Sequence, residues 1–467
     1  MAKQAVAKQK FPRSFWVANT VELFERAAFY GMFITMTLYL TNIVGFNDIW
    51  AGILGAIFSA GIYVFPLFTG AYADKIGFKN ALLVAFGLLT IGYFTLAAMP
   101  QKVPVVIAYL VFILIGGSFI KSVITGTVAQ SSTPDNRAKA FSIFYSMVNI
   151  GAFSGKMLAK PIRTGIDLSF IGLDNYALGM QYIGYYSAAM TFIAFIVVFL
   201  IFKNVDTESV GKKVSEIWIG MRKVLTNGRL IGLILIISGF WMIQHQMYAS
   251  MPKYITRMVG DDAAPEWYAN VNPAMVMIFV MLVGRMMKNY KAITTMMVGM
   301  FIMPLSVFFM SAGTMVEGAW GSSVSIFGLF SMHPIALMMV CGIAFQGFAE
   351  CFISPRYLEY FSLQSPKGEE GMYLGFAHLH SAFANLIGFA VSGFLLDAFC
   401  PDPNRADLKG LSPEELAPYY AHAEYLWYVF AGVGMISALS LWVYSKYWDR
   451  KDKIAVERAA IVGEKID

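Results

Sequence analysis

Val21-Glu22-Leu23-Phe24-Glu25-Arg26-Ala27-Ala28-Phe29-Tyr30-Gly31 is the stretch from which the fold class is read. It lies inside an otherwise apolar run from Phe15 to about Leu40, long enough for a transmembrane helix, which takes roughly 20 apolar residues. Glu22, Glu25 and Arg26 stand at i, i+3 and i+4 and share one helical face, which Phe29 and Tyr30 extend by a turn. A charge at the centre of a membrane helix costs about 2.5–3.5 kcal/mol on insertion scales, so this face should turn to a bundle interior or a water-filled cavity. Two carboxylates beside one guanidinium leave one acid able to take or release a proton, which proton-coupled transport requires. A structural ion pair joining two helices through Arg26 is the alternative.

The remainder of the 467 residues points the same way. The chain is 58% hydrophobic and 14% charged, with a mean hydropathy of +0.60, whereas a soluble domain carries about 25% charged residues. The class is therefore all-α integral membrane. Cys341, Cys351 and Cys400 read as small core residues rather than a disulfide scaffold or metal cluster. The basic segment Ala2 to Arg13 is followed by an apolar run that carries charges and lacks a small-residue cleavage site, so the segment is expected to stay in the cytoplasm.

About twelve spanning segments follow by length and hydropathy: 15–41, 48–72, 79–99, 104–130, 138–158, 177–202, 230–254, 268–289, 293–312, 334–357, 371–398 and 423–447. Lys75 and Lys79, Arg137 and Lys139, Lys212 to Arg229, Arg285 to Lys291, Arg356 and Lys367, and Lys446 to Lys465 then fall on one side. By the positive-inside rule that side is cytoplasmic, with both termini there. The net charge of +6 needs no nucleic-acid partner; the expected surroundings are a lipid bilayer, the cell inner membrane. The expected organisation is a cytoplasmic segment 1–14, a six-helix bundle 15–202, a linker 203–229, a second six-helix bundle 230–447 and a cytoplasmic tail 448–467. Within the linker, Val214 to Val224 has the spacing of a helix lying on the membrane surface. The loop from Cys400 to Ala423 reads as an ordinary solvated connection.

Between the second and third segments, Gly70-Ala-Tyr-Ala-Asp74-Lys75-Ile-Gly77-Phe-Lys79 combines turn glycines with a charge lock of Asp74, Lys75 and Lys79, a candidate cytoplasmic gate. This stretch resembles the loop signature of the major facilitator superfamily. Glu22-x-x-Glu25-Arg26 in turn resembles the first-helix signature of its proton-dependent oligopeptide transporters, and the likeness is distributed. Tyr63 stands where that family often has a peptide-contacting tyrosine. Gly116-Gly-Ser-Phe-Ile-Lys121 looks like its Gly-rich approach to an intramembrane lysine. Tyr145-x-x-x-Asn149-x-Gly151, Phe240-Trp241, Asn272-Pro273 and Glu350-x-x-x-Ser354-Pro355 fall in family order. The resemblance implies two six-helix bundles, alternating access, and a proton as coupling ion with no cofactor.

The residues also make sense as a site for a dipolar ligand. Arg26 and Lys121 offer cations for a carboxylate, and the Arg fork can bind one bidentately. Glu350, inside an apolar helix, offers an anion for an ammonium; pairing with Lys121 is its structural alternative, and snorkelling is that of Lys121. Asn149 can hydrogen-bond either terminus, with Ser354 beside Glu350, and Tyr30, Tyr63 and Trp241 supply amphipathic walls; Trp241 reads equally well as packing. Ligand or proton competing for Arg26 and Lys121 would change the protonation cost at Glu22 and Glu25, a coupling device. A small peptide or peptide-like solute is thus the expected partner, handled by a functional monomer.

Several positions depart from the family. His245 stands where an acidic residue linked to proton handling is usual and reverses its charge logic, which makes it a further proton-coupling candidate. Ala377 replaces a common aromatic pocket residue, Phe29 replaces a tyrosine, and His378 and His380 are added. Spaced i, i+2, those two do not share a helical face, so a metal-binding pair is not expected unless the helix breaks there. A proton-coupled transporter or exporter of a non-peptide small molecule, and a non-transporting sensor, are the competing functions. An enzyme lacks support, because neither a metal-ligand spacing nor a phosphate loop is present.

Overall fold

The computed structural model describes residues 11–132, 137–165, 179–203, 214–326, 328, 330–364, 373 and 376–462. They are helical almost throughout, with one small hairpin of strands β1 (Val324–Ile326) and β2 (Phe330–Met332) paired antiparallel. Among the described residues, ten helical stretches are long and apolar enough to cross a membrane. Two further helices, Arg13–Leu38 (α1) with 26 residues and Arg137–Thr164 with 28, have the length but carry more charge. Together they account for the twelve expected segments.

By contact the chain divides into two compact units, Met1–Phe33 with Phe65–Val214, and Ile34–Val64 with Ser215–Asp467. In chain order, α1 is followed by α2 (Asp48–Val64), α3 (Pro66–Ile76), α4 (Phe78–Ala98), α5 (Lys102–Ile107), α6 (Leu114–Gln130), α7 (Arg137–Thr164), α8 (Tyr182–Ile201) and α9 (Val214–Thr226). Pro66 has no N–H to donate and the second segment breaks there into α2 and α3. A π-helical turn, Ala108–Ile113, joins α5 to α6. Within the first unit α4 packs against α6 and α8, and α3 against α6.

The second unit continues with α10 (Gly228–Gln244), α11 (Gln246–Ala249), α12 (Met251–Val259), α13 (Pro265–Tyr268), α14 (Val271–Met286), α15 (Ala292–Ser311), α16 (Gly313–Trp320), α17 (Pro334–Gln364), α18 (Leu379–Phe399), α19 (Pro413–Tyr420) and α20 (Tyr425–Val462). The seventh segment is thus broken twice, at His245 and at Ser250, with Pro252 in the first turn of α12. Here α2 lies against α18, and the reason is steric. A Cβ at Gly52 would sit 2.6 Å from the Phe389 carbonyl oxygen, and one at Gly393 would sit 2.5 Å from the Asp48 carbonyl oxygen. Glycine on both helices lets the backbones touch. The last helix runs 38 residues, past the expected end of its membrane segment at 447 to Val462. Residues 214–226 are helical as their periodicity predicts, with Trp218 and Ile219 exposed.

Candidate functional site

Glu22, Glu25 and Arg26 are 3%, 0% and 7% exposed, so the polar face of α1 is turned inward. Arg26 Nε lies 3.0 Å from Glu22 Oε1 and 2.5 Å from Glu25 Oε2, a single nitrogen facing both acids. Glu22 Oε2 and both Glu25 oxygens have no hydrogen-bond partner among the described residues. The contact is therefore one of charge rather than a satisfied fork. A buried cation shared by two buried carboxylates leaves one acid under-compensated, and that acid needs a proton or a second cation. Lys121, half-buried on α6, lies within electrostatic reach of both carboxylates and of Arg26. Phe29, at the position where a hydroxyl is missing, receives the Arg26 guanidinium over its ring at 5.4 Å.

The fifth segment holds this face in place. A Cβ at Gly151 would lie 2.6 Å from the Leu23 carbonyl oxygen and 2.7 Å from Arg26 Cβ, so only glycine lets α7 approach α1 here. Asn149, two residues earlier, donates its side-chain amide to the Tyr145 carbonyl of its own helix at 2.8 Å. Tyr30 is half-buried, with the ammonium of Lys156 5.8 Å from its ring centre. Lys156 is itself buried, 1% exposed, and was not singled out from the sequence. Its signal is present there: a lysine inside the apolar segment 138–158.

In the second unit Glu350 is half-buried on α17 and held by neutral amides. Gln244 donates to its Oε2 at 3.0 Å and Asn272 at 3.3 Å. The Ser354 hydroxyl, one turn on, is buried and makes no hydrogen bond among the described residues. Beside them is an aromatic cluster. The Trp241 ring lies 5.5 Å from His245 and 5.4 Å from His380, and Tyr357 lies 4.8 Å from His380. His380 has both ring nitrogens engaged, Nδ1 with the Ala377 carbonyl at 2.6 Å and Nε2 with the Ser381 hydroxyl at 2.9 Å. Tyr357 donates to the same Ala377 carbonyl at 2.8 Å. The position that lacks an aromatic side chain thus serves through its backbone. His245 closes α10 at the first break of the seventh segment, and breaks of this kind are where transporters build sites.

Tyr63, half-buried on α2, falls in the second unit. Of the gate residues, the Asp74 side chain lies outside the described residues, Lys75 is exposed, and Lys79 donates its ammonium to the Phe199 carbonyl at 3.1 Å. That carbonyl is in the last turn of α8, where the helix dipole favours a cation.

The sequence reading missed one charged cluster altogether. Asp48, the first residue of α2, is 1% exposed and accepts from Lys253 Nζ at 2.6 Å and from Arg257 Nη1 and Nη2 at 2.9 Å each. Arg257 also donates to the Cys400 carbonyl at 2.5 Å and lies 3.8 Å from Asp402. The loop after α18 is therefore pinned at its start rather than freely solvated. Lys253 and Arg257, spaced i, i+4 at the end of the seventh segment, were the available signal.

Known proteins share this plan. The family model of the Major Facilitator Superfamily matches residues 20–324. "Dipeptide and tripeptide permease A" of Escherichia coli (strain K12) is 24% identical over 444 residues, which cover 83% of this chain and 85% of that one. "Multidrug resistance protein MdtH" of Photorhabdus laumondii is 23% identical over 334 residues, covering 71% and 74%. Among solved structures, the POT family transporter PepTSo superposes with a TM-score of 0.68 at 18% identity, covering 95% of this chain and 99% of that one. A POT family transporter in complex with 5-aminolevulinic acid gives 0.66 at 17% identity, covering 93% and 96%. With the family matched over more than half of its length and the same fold found in solved transporters, the chain belongs to the Major Facilitator Superfamily.

Proposed function

We propose that the protein is a secondary active transporter that couples proton movement to symport of di- or tripeptides, or peptide-like zwitterions, by alternating access. The observation that carries this reading is Arg26 Nε placed between Glu22 and Glu25 in a buried face. Only one of two acids is fully compensated there, so a proton and an anionic ligand group can compete around the same cation. Lys121 supplies a second positive charge near these acids in the first unit, and Glu350, held among the described residues by the amides of Gln244 and Asn272, supplies a carboxylate in the second. A zwitterion needs both signs. The relative named for dipeptides and tripeptides supports the same substrate class.

On this reading a single chain works as a monomer in the cell inner membrane with both termini cytoplasmic, and it needs no cofactor beyond the proton. It performs no catalysis. Lys75 and Lys79, with Asp74, belong to the cytoplasmic gate. His245 takes part in proton handling at the break between α10 and α11, with Trp241 against its ring.

The likeness to a multidrug resistance protein favours a second reading, export of a non-peptide small molecule. The two separate in one assay. Purified protein in sealed liposomes is given labelled dialanine under an inward proton gradient, beside Glu22→Gln and Glu350→Gln. Gradient-driven uptake that both variants lose supports peptide symport; no uptake by the native protein overturns it in favour of the exporter.

A further inference from the structure

Gly228 at the start of α10 and the exposed face of α20 line an open groove of about 770 Å³, with Ile436, Leu439, Val443, Tyr447, Trp448 and Lys451 among its residues. We propose that this groove binds one anionic phospholipid of the cytoplasmic leaflet, a phosphatidylglycerol in the simplest case; the leaflet assignment rests on the orientation given above.

The order of residues along α20 is the first support. Ile436, 67% exposed, Leu439 and Val443 form an apolar floor, the aromatic pair Tyr447 and Trp448 follows, and Lys451 closes the end. At 1.5 Å per residue, Ile436 to Lys451 spans about 22 Å. Half of a ~30 Å hydrocarbon core, plus one headgroup layer of about 5–7 Å, gives nearly the same length. Acyl chain, glycerol and phosphate would meet aliphatic, aromatic and cationic side chains in that order, as interfacial residues are distributed in membrane proteins.

Charge is the second. Lys451 Nζ lies 4.8 Å from the Tyr447 ring centre and 5.2 Å from that of Trp448, and it forms no ion pair among the described residues. The neighbouring acids are already neutralised, Asp452 by Arg229 at 2.8 Å and Asp449 by Lys291 at 3.1 Å. Lys446, Arg450 and Lys453 add further positive charge on the same stretch. A phosphodiester with no cation of its own complements this excess, whereas a choline headgroup would bring a second cation to compete for the rings.

The test uses the purified full chain in a neutral detergent, titrated with phosphatidylglycerol or with phosphatidylcholine of the same acyl chains, with the thermal midpoint and native mass spectrometry as readouts. Phosphatidylglycerol should raise the midpoint more than phosphatidylcholine and remain bound as a one-to-one adduct. Lys451→Gln should weaken that binding about fivefold, and Leu439→Trp, which fills the floor of the groove, should weaken it too. Uptake in liposomes should be kept by Lys451→Gln, showing that it folds. Equal effects of the two lipids, or unchanged binding by both variants, would overturn the proposal. So would dilution-dependent dimers insensitive to lipid, which would assign the groove to a second copy.

Discussion

Arg257 grips Asp48 with both arms of its guanidinium, Nη1 to Oδ2 and Nη2 to Oδ1 at 2.9 Å each, although the two residues are 209 positions apart. Lys253 closes on the same carboxylate from one turn away. The side chains of Asp48, Lys253 and Arg257 are 1%, 1% and 5% exposed, so their charges are met by one another, by Asp402 3.8 Å from Arg257 and by the Cys400 carbonyl.

Removing the anion should therefore be severe. Asp48→Asn leaves two buried cations facing an amide, and breaking a buried pair in this way costs about 3–5 kcal/mol. A thermal melt in detergent should show a large fall in midpoint, while the triple replacement of Asp48, Lys253 and Arg257 by Leu, Met and Met should recover much of it. An unchanged midpoint for Asp48→Asn would refute the cluster.

Glycine substitutions should separate by contact. Gly151→Ala drives a methyl into the Leu23 carbonyl and Arg26 Cβ, an overpacking worth about 1–3 kcal/mol that also displaces the guanidinium. Gly284→Ala on α14 meets nothing within 4 Å and gains up to about 1 kcal/mol of helix propensity. Melting temperature and uptake should both fall for the first, whereas for the second the melting temperature should hold or rise and uptake should hold.

Tyr357 and His380 share one acceptor, the Ala377 carbonyl. In a double-mutant cycle of Tyr357→Phe and His380→Leu, a coupling of about 0.5–3 kcal/mol is expected, as for residues in one hydrogen-bond network. Strict additivity of the two unfolding free energies would show that the carbonyl binds them independently.

Coupling and binding should come apart at α1. Glu22→Gln should abolish gradient-driven accumulation yet keep exchange of labelled for unlabelled peptide, because exchange needs no net proton movement. Loss of both activities in a well-folded variant would place Glu22 in ligand binding instead.

Much of this was legible along the chain. The i, i+3, i+4 spacing placed Glu22, Glu25 and Arg26 on one face, and hydropathy located the segments, because helical periodicity and the cost of charge in lipid are local properties. Tertiary structure alone decided how those charges are shared: one Nε serves both acids, Asn149 turns to its own backbone, and His380 is held at both nitrogens. It also joined Asp48 to Lys253 and Arg257 and placed α2 with the second unit. A helix repeats every 3.6 residues and so announces its own face, but which distant residue meets that face depends on packing across some 200 intervening positions, as from Asp48 to Lys253 and Arg257.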